Sequence, residues 1–170
     1  MIEMKVMGIA LDTRTGSPIV VLNDKENRRA LPIWIGSAEA RAIIRKIESI
    51  PSSRPMTHDL FMQIAEGTEY EITRVEINNV DDQTYFSSIF MYNEKLQKEI
   101  AIDSRPSDAI AIALRADVPI YVAPKVLAVG AVSTDVEKDE QEAQEFKNFI
   151  KDIKPSDFEK MLKKGFESDQ

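Results

Sequence analysis

The first two-thirds of the chain alternates apolar and polar residues with period two, and the period lengthens at three points. Residues Met4–Leu11, Pro18–Leu22 and Leu31–Ile35 read as strands. Polar turns, Asp12-Thr13-Arg14-Thr15-Gly16 and Asn23-Asp24-Lys25-Glu26-Asn27, separate them. The third strand is apolar on both faces and therefore interior. Gly36-Ser37 then breaks the pattern. Ser37 suits the N-cap of a helix running to about Ser49, with Ala40, Ile43, Ile44 and Ile47 as its buried stripe. After the loop Pro51–Pro55, Thr57 can cap a second helix. Leu60, Phe61, Ile64 and Ala65 are spaced for burial there, and Gly67 stops it.

Period two returns in Tyr70–Asn78 with a phase slip. Tyr70 and Ile72 share one face, Val75 and Ile77 the other, which predicts a bulge near Thr73-Arg74. Thr84–Tyr92 is the antiparallel partner, followed by a strand Leu96–Ile102 whose Leu96, Ile100 and Ile102 share a face opposite to Asp103. Arg105-Pro106-Ser107-Asp108 opens a third helix, because proline fits the first turn and Asp108 meets the positive end of the dipole. That helix is alanine-rich and apolar nearly all round, the mark of burial on several sides. A short strand, Val118–Val122, and a helical turn, Pro124–Val129, complete the unit.

Ile35-Gly36-Ser37 with its alanine-rich helix is echoed by Ile102-Asp103-Ser104 and the helix after it. The echo fits either shared helix grammar or an internal strand–helix duplication. The fold class expected is α+β, a mixed and mainly antiparallel sheet with packed helices and a small C-terminal helical tail. Residues 1–132 form the domain. Residues 133–170 form an acidic linker, DVEKDEQEAQE from Asp135 to Glu145, and a helical hairpin. Phe146, Phe149 and Ile150 lie on its first helix, and a capping box, Ser156-Asp157-Phe158-Glu159, begins its second. The hairpin reads as packed on the domain surface, with a partner-binding appendage as the alternative.

Composition narrows the chemistry. The chain lacks cysteine, which removes disulfides, thiol catalysis and zinc–thiolate sites. The first residues carry no signal-peptide pattern and no apolar run spans a bilayer, so no membrane partner and a cytoplasmic location are expected. A net charge of −7 argues against tight non-specific binding to nucleic acid, although part of the excess is confined to the acidic run. The apolar helix and the interior-type strands offer more apolar surface than one small layer covers, which predicts a homodimer.

Arg-Pro occurs twice shortly before an acid at a helix entrance, at Arg54 and Arg105. Arginine there opposes the dipole and needs a carboxylate partner or a bound anion, and the two entrances are expected to converge on one cleft. His58, the one histidine, suits proton transfer, or equally a cap. Glu39, Asp59, Asp103 and Asp108 are the acids at helix entrances. Any metal would be carboxylate-bound, hence magnesium, manganese or calcium, with magnesium or manganese suited to phosphodiester hydrolysis, Asp103 and Asp108 as ligands, and Arg54, Arg105 and Ser107 holding a substrate phosphate.

Three blocks, Leu31-Pro32-Ile33-Trp34-Ile35-Gly36 with Glu39-Ala40, Arg54-Pro55-Met56-Thr57-His58-Asp59-Leu60, and Asp103-Ser104-Arg105-Pro106-Ser107-Asp108-Ala109-Ile110-Ala111, together resemble the bifunctional nuclease domain family. The resemblance runs from about Met4 to Gly130. It implies a compact mixed α+β domain that tends to dimerise, and hydrolysis of RNA and DNA phosphodiesters. It also places Glu39, His58, Asp59 and Asp108 in motif blocks as catalytic candidates. The alternative function is a non-enzymatic dimeric module that binds a small anion or a protein partner through the same arginines.

Overall fold

Three antiparallel strands followed by a helix make a unit that the chain builds twice. A computed structural model describes residues 1–134 and 140–152. The first unit is β1 (Ile2–Asp12), β2 (Pro18–Asp24), β3 (Arg29–Trp34) and α1 (Ser37–Ile47), with α2 (Thr57–Gly67) after it. The second is β4 (Glu71–Asp81), β5 (Thr84–Asn93), β6 (Lys98–Ser104) and α3 (Pro106–Ala116). There follow β7 (Ile120–Val122), α4 (Pro124–Gly130), β8 (Val132–Ser133), α5 (Glu140–Phe149) and β9 (Ile150–Asp152). The strands form one sheet in the order β6-β5-β4-β7-β1-β2-β3-β8, with β9 paired to β1. β7 joins the units, parallel to β4 and antiparallel to β1. The sheet is mixed and mainly antiparallel, as the sequence predicts.

The predicted bulge is present. The β4–β5 register shifts between Ile72 and Arg74, and again between Ile77 and Asn79. Other boundaries move for local reasons. Gly36 and Met56, rather than Ser37 and Thr57, occupy the N-caps of α1 and α2. Leu96 belongs to the turn before β6: its N–H donates to Asn93 Oδ1 at 2.9 Å, Gln97 adopts a φ of 48°, and the side chain is exposed. In α2 only Ala65 is fully buried. Phe61 and Met62 lean on the core, while Leu60 and Ile64 are about half exposed. Ile47 at the end of α1 is exposed as well.

α3 is the centre of the molecule. Ala109 through Ala113 are all buried, against α1 and α2 on one side and β4 and β5 on the other. Its small side chains let α1 and α2 approach, so the all-round apolar helix is covered by its own chain. β2 is buried along its whole length for a different reason. Its inner face joins the main core. Its outer face, Ile19 and Val21, packs with Ala10, Ala30, Val132, Phe146, Phe149 and Ile150. The described part of the C-terminal region thus covers the back of the first unit. The second expected tail helix lies outside the described residues.

Candidate functional site

The first turns of α1, α2 and α3 meet in one depression. It has a volume of about 310 Å³ and is lined by Glu39, Arg41, His58, Arg105 and Asp108 among others. His58 is on the first turn of α2 and Asp108 on that of α3; His58 Nε2 lies 2.9 Å from Asp108 Oδ1. Arg105, the N-cap of α3, donates Nε–H to Asp108 Oδ2 and Nη1–H to Glu39 Oε1, each at 2.8 Å. One chain of hydrogen bonds therefore links all three helix entrances. Three helix N-termini aimed at one place make a positive field suited to an anion.

Burial pushes the Asp108 carboxyl up. Hydrogen bonds from Arg105 and His58, and their charges, outweigh that and hold it below the ordinary carboxylate value. Asp108 is thus an anion that fixes the imidazole. With Nε2 held as a donor, Nδ1 makes no hydrogen bond among the described residues and is left for a substrate proton. Glu39 acts on Arg105. Its Oε2 lies close to where a Cβ on Gly36 would project, so a larger residue there would make the Glu39 side chain shift.

Asp59 is engaged elsewhere. Its Oδ1 accepts from Arg115 Nε at 2.8 Å and its Oδ2 from the Met56 N–H at 2.9 Å. The Arg115 hydrogen bond, then that of Met56, holds its carboxyl below the ordinary value. Arg115, only 8% exposed, also donates to the carbonyls of Ala111 and Ala42 and so ties α3 to α1 and α2. Sequence reasoning missed it. The one signal was a cation at the end of an apolar helix, and its partner is 56 residues away.

The two Arg-Pro entrances lie in adjoining depressions. Arg54 lines one of about 430 Å³ that shares Arg45, Met56 and Arg115 with the first. Ser107 is buried and faces a third, with Trp34, Gly36 and Tyr85. Asp103 is exposed on β6 and lines none of these three. The expected metal pair, Asp103 and Asp108, is therefore not brought together. Both oxygens of Asp108, both of Asp59 and Oε1 of Glu39 already accept hydrogen bonds. Among the described residues no group of three or more His, Cys, Asp or Glu is placed to hold a metal ion. Among them, too, no helix is long and apolar enough to cross a membrane.

Comparison with known proteins agrees with the three blocks. An uncharacterized protein of Mycobacterium tuberculosis is 33% identical over 164 residues, covering 92% of this chain and 97% of its own length. Bifunctional nuclease 2 of Oryza sativa subsp. japonica is 30% identical over 107 residues, 62% of this chain. Bifunctional nuclease 1 of Arabidopsis thaliana is 26% identical over 107 residues. The chain spans about a third of the length of these two plant relatives. Residues 20–135 match the model of the Bifunctional nuclease domain, and the chain belongs to that family.

Proposed function

We propose that this chain is a nuclease that hydrolyses phosphodiester bonds of RNA or DNA in the depression between α1, α2 and α3. The observation that carries the reading is the His58–Asp108 pair beside the Arg105 guanidinium, where three helix N-termini converge. Membership in a family that includes plant bifunctional nucleases supports it. In the reaction, a water oxygen attacks phosphorus and the bond from phosphorus to the leaving sugar oxygen breaks. His58 Nδ1 takes the water proton, and Asp108 steadies the imidazolium that forms. The leaving oxygen takes a proton from solvent. Arg105, oriented by Glu39 and Asp108, turns its remaining N–H groups to the phosphoryl oxygens as charge builds there.

The test is cleavage of end-labelled RNA and DNA by the purified chain, with magnesium, manganese or EDTA, beside His58→Ala. The wild type cleaves and the folded variant is reduced by about 10²-fold or more. A folded wild-type chain that cleaves neither substrate under any of these conditions ends the reading. One observation favours the alternative, a non-enzymatic module that binds a protein partner: Glu39 and Asp108 already balance Arg105, a structural role that needs no substrate. On that reading Asp108→Asn costs stability and there is no cleavage to lose.

The partner expected besides nucleic acid is a second copy of the chain. The apolar motive given by α3 is met within the monomer. Among the exposed large apolar side chains, Leu60 and Ile64 lie one turn apart on the outer face of α2.

A further inference from the structure

The adjoining depressions have a composition unlike the rest of this acidic chain. Six cationic side chains line them, Arg41, Arg45, Lys46, Arg54, Arg105 and Arg115, against three carboxylates, Glu39, Asp59 and Asp108. All three carboxylates are spent on Arg105, Arg115 and His58. Arg41, Arg45, Lys46 and Arg54 form no ion pair among the described residues; Lys5, Lys98 and Lys125 form none either but line neither depression. Four uncompensated cations side by side repel one another, a cost that a bound polyanion removes.

The surface is also built rather than loose. Arg45 donates Nη2–H to the Pro51 carbonyl at 2.6 Å, and the Ile50 N–H donates to the Arg45 carbonyl at 2.8 Å. Ser52 Oγ donates to the Arg54 carbonyl at 2.6 Å. These bonds fasten the α1–α2 connection against the end of α1. Arg41 and Arg45, one helical turn apart, continue the row toward His58.

We infer that this row is a track for the phosphate backbone of single-stranded nucleic acid, running from Arg54 and Lys46 past Arg45 and Arg41 to the His58–Asp108 pair. The inference rests on the nuclease reading of that pair for its end point. Shape selects the single strand. His58 is 13% exposed on the floor of a concave depression, which a flexible strand can enter and a stiff duplex cannot. No Phe, Tyr or Trp side chain lines either depression, so there is no large aromatic platform on which bases stack. Recognition therefore goes through phosphates alone and is indifferent to sequence.

The test is equilibrium binding of fluorescein-labelled oligo-dT, oligo-dA and oligo-rU in EDTA, titrated with salt, independently of any cleavage. The three strands bind alike, with a log–log salt slope of roughly −3 for four neutralised phosphates. Arg41→Gln, Lys46→Gln and Arg54→Gln combined lower the magnitude of that slope by about 2 and weaken all three strands equally. Lys5→Gln, Lys98→Gln and Lys125→Gln combined make the same change in net charge on other surfaces and leave the slope unchanged. These side chains are exposed or lack ion pairs, so melting temperatures report that the fold is kept. Equal slopes for the two triple variants overturn the track, as does tighter binding of duplex, or competition by inorganic pyrophosphate as effective as by oligonucleotide. Cleavage without such binding removes the track and leaves the nuclease reading. Binding without cleavage does the reverse.

Discussion

Arg115 holds more of the site in place than any residue that lines it for chemistry. Its guanidinium is shared by an acid of α2, a carbonyl of α1 and a carbonyl of its own helix. Arg115→Ala should cost about 2–3 kcal/mol, the scale of charge-assisted hydrogen bonds lost from a buried group, read as a lower urea midpoint. Arg115→Lys should recover less than half, because a lysine cannot present a fork. The acid limb of stability follows from the same contacts. Asp59 and Asp108 titrate below their ordinary value when folded, so what they contribute is complete above about pH 4 and is lost as pH falls through their lowered values. Asp59→Asn should therefore lower the melting temperature at pH 7, by a difference that shrinks as pH falls below about 4. A constant difference across that range would refute the linkage. His58 and Asp108 were legible in the sequence as members of motif blocks. Their contact was not, since 50 residues separate them and only the packing of α2 against α3 joins them. Glu39 and Asp59 read as equal catalytic candidates because sequence shows an acid in a first turn but not the arginine it answers.

At the scale of elements, period-two patterning was readable wherever one face is buried. The bulge at Thr73 is the clearest case, because a one-residue slip exchanges every face beyond it. Spacing misled in α2, where Leu60 and Ile64 follow a burial pattern and yet face outward. The tail was partly legible. Phe146 and Phe149 announce an apolar face, but its seat on the back of β1–β3 depends on outer-face residues that look merely apolar. Trp34 reports that docking. Its ring meets Phe149 edge-on at 5.9 Å, and its Nε1–H donates to Asp12 Oδ2 at 3.0 Å. As the chain has a single tryptophan, Phe149→Ala should shift its emission to longer wavelength while the far-ultraviolet circular dichroism stays. An unchanged spectrum would place the docking energy elsewhere. Gly130 is a second test of packing. A Cβ there would lie 2.2 Å from Tyr85 Oη and 3.0 Å from Leu31 Cδ1. Gly130→Ala should destabilise by about 1–3 kcal/mol, measured by urea denaturation.

For the whole molecule, net charge and local charge point in opposite directions. A total of −7 lowered the expectation of a nucleic-acid ligand, but the face around α1 and α2 is cationic. Arg41, Arg45, Lys46 and Arg54 are near neighbours in the sequence with Glu48 the one acid among them, so the cluster was legible there and only the sum along the chain hid it. The homodimer is tested at this scale by sedimentation at micromolar concentration. A dimer that Leu60→Lys with Ile64→Lys converts to monomer is the expected outcome, and a wild-type monomer would count against it. The central claim, that His58 and Asp108 form one reacting unit, is tested most directly by a double-mutant cycle on the cleavage rate of a labelled single strand. His58→Ala and Asp108→Asn should each lower the rate by about 10²-fold or more, and the double variant should fall little further. Both single variants folding and cleaving at the wild-type rate would contradict the account.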